Sequence, residues 1–227
     1  MTGMLASVNS LEEARLVLAK NVDIIDLKDP VSGALGALST ERVTEIVKMV
    51  NGVCPVSATI GDLPMYPELI FQATNRMFDT GVDYVKIGFF PSANESSVVE
   101  KLASLCPQTN LIAVLFAETQ PDISLINSLI KVGFRGIMLD TMDKSQGSLT
   151  GIMAGQGIAQ FVNHVKSNGL LCGLAGSLTL EDIPGLLLHQ PDYLGFRGAL
   201  CAKHNRTGLL SVQLVQEVKQ AIAEFTR

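Results

Sequence analysis

Two lysines stand near the ends of short apolar runs, each where a strand would deliver it into an enclosed space. In Ile24-Ile25-Asp26-Leu27-Lys28-Asp29-Pro30, strand alternation puts Asp26 and Lys28 on one face and Ile25 and Leu27 on the other. In Tyr84-Val85-Lys86-Ile87-Gly88, Lys86 shares a face with Tyr84 and Gly88, opposite Val85 and Ile87. A lysine aimed into a poorly solvated crevice, with a second cation across from it, has its pKa lowered from about 10.4 towards neutrality. A neutral amine can attack a carbonyl to form a Schiff base, so imine chemistry is the expectation. The second lysine would then be a proton shuttle or a phosphate contact, and the residues alone leave the two roles exchangeable. A structural ion pair between Asp26 and Lys28 is the inert alternative.

Other polar groups follow apolar runs in the same way. Thr59 and Asp62 come after the run at 56–60, Glu118 after 111–116, Asp140 and Lys144 after 136–139, and Arg197 after 193–196. Thr59 and Asp62 are taken as substrate contacts from this placement. Gly176 and Ser177, with Arg197 and Gly198, form glycine turns of the kind that offer backbone N–H groups to a phosphate. Lys203, His204 and Arg206 lie just beyond, to assist or simply to be solvated. The N-terminal ends of the runs read as mostly small or apolar, so charge is expected at one rim only.

The elements that would position these groups alternate throughout. Strands are expected at 5–8, 23–28, 56–60, 83–88, 111–116, 136–139, 170–175 and 193–196. Helices are expected at 11–20, 40–50, 67–80, 95–105, 122–132, 154–167, 180–189 and 211–225. Alternation of this kind implies a parallel sheet, and eight such units imply a (β/α)₈ TIM barrel of the α/β class. An open doubly wound sheet would also alternate, but no Gly-x-Gly-x-x-Gly fingerprint follows the first strand. Barrel enzymes build their sites at the C-terminal ends of the strands, where the lysines fall.

Composition agrees with this layout. The 227 residues fit one domain, 1–227, and 47% hydrophobic against 17% charged residues points to a large core. A net charge of −5 without any Lys/Arg run argues against a nucleic-acid partner. No apolar run reaches the roughly 18 residues of a membrane span, and no secretory signal is visible, so a cytoplasmic protein is expected. Cys54, Cys106, Cys172 and Cys201 form no CxxC pair and are expected to be buried reduced thiols. His164, His189 and His204 lack metal-ligand spacing, so no metal site is expected. A homo-oligomer is expected, with its subunit number left open.

Six segments occur in an order that resembles a known family. They are Asp26-Leu27-Lys28-Asp29-Pro30 with Gly33-x-x-Gly36, Val56-Ser57-Ala58-Thr59-Ile60-Gly61-Asp62, Asp83-Tyr84-Val85-Lys86-Ile87-Gly88, Met138-Leu139-Asp140-Thr141, Leu174-Ala175-Gly176-Ser177 and Arg197-Gly198-Ala199. Together they resemble the (5-formylfuran-3-yl)methyl phosphate synthase family of methanofuran biosynthesis, over nearly the whole chain. The resemblance implies a (β/α)₈ lyase that condenses two glyceraldehyde 3-phosphate molecules, losing one phosphate and two waters. It places the Schiff-base lysine on Lys28, the acid–base lysine on Lys86, and supporting polar positions on Asp26, Asp140 and Lys144. The implied partner is a small phosphorylated aldehyde, and no cofactor is needed because the lysine itself is the electron sink. Asp26 could hold the iminium charge or move protons to a departing hydroxyl.

Two rival readings share the rim lysines. One is a Schiff-base aldolase acting on another phosphorylated sugar. The other is a non-catalytic barrel that binds a phosphate ligand, in which the lysines only neutralise charge.

Overall fold

The computed structural model describes residues 1–225. Its elements run β1 (Gly3–Val8), α1 (Leu11–Ala19), β2 (Ile24–Leu27), α2 (Thr40–Val50), β3 (Val56–Thr59), α3 (Pro67–Phe78), β4 (Tyr84–Gly88) and α4 (Glu95–Leu102). They continue with β5 (Leu111–Phe116), α5 (Ile123–Val132), β6 (Gly136–Asp140), α6 (Leu149–Ile152), α7 (Gly155–Ser167), β7 (Leu171–Leu174), α8 (Ile183–Leu187), β8 (Tyr193–Phe196) and α9 (Val212–Glu224). Each strand pairs in parallel with its sequence neighbours, and β1 also pairs with β8, so the sheet closes into a (β/α)₈ barrel.

Local chemistry starts several of the helices. The side chains of Ser10, Ser39, Asp122 and Ser211 accept the N–H of Glu13, Arg42, Ser124 and Leu214, satisfying donors that a first turn leaves open. The helix expected over 180–189 is instead a 3₁₀ turn, Leu180–Asp182, followed by the five-residue α8. Pro184 in its first turn has no N–H to give to a longer helix. The short α6 ahead of α7 had no sequence expectation.

Strand alternation sorts the core into two layers. Outward residues such as Met4, Ile25, Ala58, Val85, Ala113, Leu139, Leu174 and Leu194 pack beneath the helices. Inside the barrel lie Leu5, Ile112, Val114, Phe116, Met138, Ala175 and Tyr193. Gly173 makes room there, since a Cβ on it would sit 2.2 Å from the Tyr193 ring. Towards the C-terminal ends the same inward face turns polar, and Ser7, Asp26, Ser57, Thr59, Lys86 and Asp140 are all buried on it.

The loop after β2 folds over the barrel mouth and seals part of it. Asp62 accepts the N–H of Ala34 and Leu35, both at 2.8 Å, and the Thr59 hydroxyl donates to the Gly36 carbonyl at 3.0 Å. Leu35 thereby joins the inner apolar layer.

The opposite rim corrects one expectation. It is not free of charge: Asp23, Asp83 and Asp192 stand just before β2, β4 and β8. Their carboxylates accept the N–H of Met4, Val56 and Cys172 at 2.7, 2.8 and 2.7 Å. These N–H groups lie at strand starts, where a carboxylate supplies the missing acceptor. Charge at a strand end is therefore not by itself a sign of chemistry in this barrel.

Candidate active site

At the end of β2 the chain delivers Lys28 into the barrel mouth, its own N–H fixed to the Val8 carbonyl at 3.1 Å. Its side chain is buried, with 7% of its surface exposed. Among the described residues its Nζ has neither an ion pair nor a hydrogen-bond partner. Burial pulls its pKa down from 10.5 to about 8, with Asp140 and Asp26 opposing the shift and Lys144 and Lys86 adding to it. About a tenth of such an amine is neutral at pH 7, several hundred times more than for an ordinary lysine. Both causes named from the sequence contribute, desolvation more than the neighbouring cations.

Two ion pairs flank this amine. On one side Lys86 Nζ lies 3.0 Å from Asp26 Oδ1, with both side chains almost fully buried. Asp26 also accepts the hydroxyls of Ser57 at 2.7 Å and Ser7 at 2.9 Å, so both of its oxygens are in use. Burial raises the Asp26 carboxyl, but Lys86, Lys28 and the Ser57 hydrogen bond outweigh it and hold it below the usual range. The inert pairing of Asp26 with Lys28 does not form, because the carboxylate is taken by Lys86.

On the other side Lys144 Nζ lies 2.6 Å from Asp140 Oδ1 and also donates to the carbonyl and hydroxyl of Thr141. Asp140 Oδ1 also accepts the Thr141 N–H at 2.7 Å, while Oδ2 is buried with no partner among the described residues. Burial raises this carboxyl, and Lys144 with Lys28 reverses the effect, leaving it at about 2. Glu118 holds the loop that carries Lys144, accepting the N–H of Met142 at 2.8 Å and of Asp143 at 3.0 Å.

Lys28, Lys86, Asp140 and Lys144 line one cavity of about 260 Å³, together with the turns at Gly176, Ser177 and Gly198. The N–H groups of Gly176 and Ser177 have no protein acceptor among the described residues, and both residues take left-handed backbone with φ of 111° and 47°. Asp26 lies just beneath, behind Lys86. Thr59 and Asp62 are not in the cavity wall, and their oxygens are committed to the loop after β2. At the rim they anchor that loop.

Arg197 borders the cavity, yet its five N–H groups all have acceptors in the protein. They donate to both oxygens of Glu13 and to the carbonyls of Ser7, Arg206 and Gly208. A guanidinium so occupied is a clamp between β8, α1 and the following loop, with no donor to spare for a phosphate. This departs from its expected role, and the partner that claims it, Glu13, stands in the first turn of α1.

The sequence reading missed Ser7, Ser57 and Glu13. Inward parity could have found the two serines, each one strand over from Asp26 and paired with it in register. Nothing local marked Glu13. Among the described residues, no group of three or more His, Cys, Asp or Glu side chains is placed to hold a metal ion, and no helix is long and apolar enough to cross a membrane. Of the four cysteines, Cys172 and Cys201 are buried and Cys54 and Cys106 only partly so.

This arrangement can form an imine on a carbonyl substrate and move protons beside it. Comparison with known proteins narrows the choice. A family model described as 4-HFC-P synthase matches residues 4–219. The (5-formylfuran-3-yl)methyl phosphate synthase of Methanosarcina mazei is 32% identical over 218 residues, covering 91% of this chain and 93% of that protein. The protein of the same name from Methanocaldococcus jannaschii is 32% identical over 235 residues, covering 96% and 98%. A Methylorubrum extorquens protein named provisionally for the same activity is 40% identical over 219 residues, covering 96% and 91%. Among solved structures, phosphoribosyl anthranilate isomerase from Thermus thermophilus aligns with a TM-score of 0.70 at 13% identity, covering 99% of each chain. At that identity the likeness concerns the fold alone.

Proposed function

Because the chain belongs to the 4-HFC-P synthase family, we propose that it condenses two molecules of glyceraldehyde 3-phosphate through an imine on Lys28. The product would be (5-formylfuran-3-yl)methyl phosphate, with release of one phosphate and two waters, to supply the furan of a methanofuran-type one-carbon carrier. The observation that carries this reading is Lys28 itself, among the described residues the one lysine of the three in the cavity with no carboxylate partner, and with a pKa of about 8.

The product skeleton says what the amine must do. Its new carbon–carbon bond joins C3 of the triose that loses phosphate to C2 of the triose that keeps it. Both halves therefore need their C2 proton removed. In the first triose this expels the phosphate from C3, and in the second it turns C2 into the carbon nucleophile. An iminium at C1 of the first triose is the electron sink for phosphate loss, and the aldehyde of the second triose acidifies its C2 proton. Hemiacetal closure and loss of two waters then give the aromatic ring, which makes the sequence hard to reverse.

The neighbours divide the remaining work. Asp140, whose Oδ2 has no partner among the described residues, is the counter-ion for the iminium and the acceptor for a nearby proton. Lys86, held by Asp26, is the acid that protonates departing oxygen, and Lys144 holds Asp140 in place. Asp26 orients Lys86 rather than touching the iminium. Gly176, Ser177 and Gly198 offer backbone N–H groups to a phosphate.

Product analysis tests the reaction. Incubation with glyceraldehyde 3-phosphate should give a furan absorbance and one inorganic phosphate for every two substrates consumed. Aldol products from other phosphorylated sugars, without furan, would favour a Schiff-base aldolase instead.

A further inference from the structure

Among the described residues, five lysine and arginine side chains border the cavity: Lys28, Lys86, Lys144, Arg197 and Arg206. Three are neutralised in ion pairs with Asp26, Asp140 and Glu13. Lys28 is the amine reserved for the imine and becomes part of the substrate adduct. Arg206 is different. It makes no ion pair among the described residues, and its only hydrogen bond there runs from Nη2 to the Gly33 carbonyl at 2.8 Å. Four of its five N–H groups are left without an acceptor.

The fold goes to some length to place it. Residues 201–210 turn back on themselves, closed by an antiparallel bridge between Cys201 and Leu210. Arg197, anchored on Glu13, donates Nε to the Arg206 carbonyl at 2.8 Å and Nη2 to the Gly208 carbonyl at 2.9 Å. One arginine thus spends two of its five donors fixing the backbone that carries the other, while Glu13 and the Ser7 carbonyl hold it in place. The segment also holds Lys203 and His204 in left-handed conformations, φ 56° and 54°, which residues with side chains seldom adopt. Through Gly33, Arg206 links this loop to the one after β2, two strands around the closed barrel.

We infer that Arg206 is the phosphate-recognising cation of the cavity, the residue that selects phosphorylated over unphosphorylated aldehydes. It rests on the reading above only in naming the ligand as a triose phosphate. The shape of the site would demand the same of any phosphate monoester, because a planar guanidinium with free donors matches phosphate oxygens in pairs.

Inorganic phosphate is the probe, its affinity measured by calorimetry on the wild type and on Arg206→Gln and Arg206→Lys. Loss of charge-assisted hydrogen bonds should weaken phosphate binding at least about tenfold in Arg206→Gln, with part of it recovered in Arg206→Lys. The preference of Lys28 trapping for glyceraldehyde 3-phosphate over glyceraldehyde should fall in parallel. Phosphate affinity within twofold of wild type in Arg206→Gln would overturn the inference. So would a wild type that binds no phosphate. An enzyme that binds phosphate through Arg206 yet forms no furan would overturn the proposed reaction and leave this inference standing. Furan formation with phosphate affinity indifferent to Arg206 would do the reverse.

Discussion

Lys86 Nζ sits 3.0 Å from Asp26 Oδ1, and this contact decides how the charges of the barrel mouth are shared. Asp26 and Lys28 are two residues apart on one strand face, yet the carboxylate turns to the lysine two strands away. The consequence is that Lys28 is left without a partner among the described residues, in a site too dry to favour its charge.

Asp26→Asn should be among the more damaging substitutions in the chain. It strips the partner from a lysine that is 2% exposed, which costs about 3–5 kcal/mol when a buried pair loses one member. Ser57→Ala removes only one of three donors to Asp26 and should cost about 1 kcal/mol. Urea denaturation measures both, and an Asp26→Asn stability close to wild type would mean the pair does not form.

Lys28→Met should make the protein more stable. The folded pKa of about 8 lies below the ordinary 10.5, so between these values the unfolded chain binds more protons than the folded one. Wild-type stability then rises with pH across that window. The penalty for charged Lys28 is about 3 kcal/mol below pH 8 and vanishes towards pH 10.5. The advantage of the methionine variant should follow the same curve in denaturation experiments from pH 7 to 10. A constant difference across that range would remove Lys28 as its source.

The same ionisation should shape the rate. In the free enzyme kcat/KM should climb about tenfold per pH unit below pH 8 and level off above it, as neutral amine becomes available. Asp140, at about 2, stays ionised throughout and adds no inflection in this range. A flat profile between pH 6 and 9 would be incompatible with a rate limited by neutral Lys28.

Glu13→Gln separates a clamp from a ligand. If Arg197 serves to hold the loop, losing its carboxylate should lower stability by about 3–5 kcal/mol and loosen the segment that carries Arg206. A variant of unchanged stability with only a raised KM would return Arg197 to direct substrate contact.

Much of this molecule was legible before its structure, and the limits have physical reasons. Eight strands were readable because both faces of each are buried, leaving short apolar runs between turn residues. Lys28 and Lys86 stood out because a charge inside such a run has few harmless explanations. Thr59, Asp62 and Arg197 carry commitments that the sequence did not show, for one shared reason. Position at the rim is visible in sequence, but whether a polar group's hydrogen bonds are already spent on backbone is not. Glu13 and Arg206 were obscured by distance along the chain: Glu13 meets Arg197 across 184 residues, and Arg206 meets Gly33 across 173. No local pattern encodes either contact.

The central claim, that Lys28 carries the substrate as an imine, is tested most directly by trapping it. The enzyme is mixed with glyceraldehyde 3-phosphate, reduced with borohydride, digested and mapped by mass spectrometry. A triose-derived adduct on Lys28, absent from Lys28→Arg and not moved to Lys86 or Lys144, is the predicted result. An unmodified Lys28 in an enzyme that still makes furan, or an adduct found instead on Lys86, would contradict it.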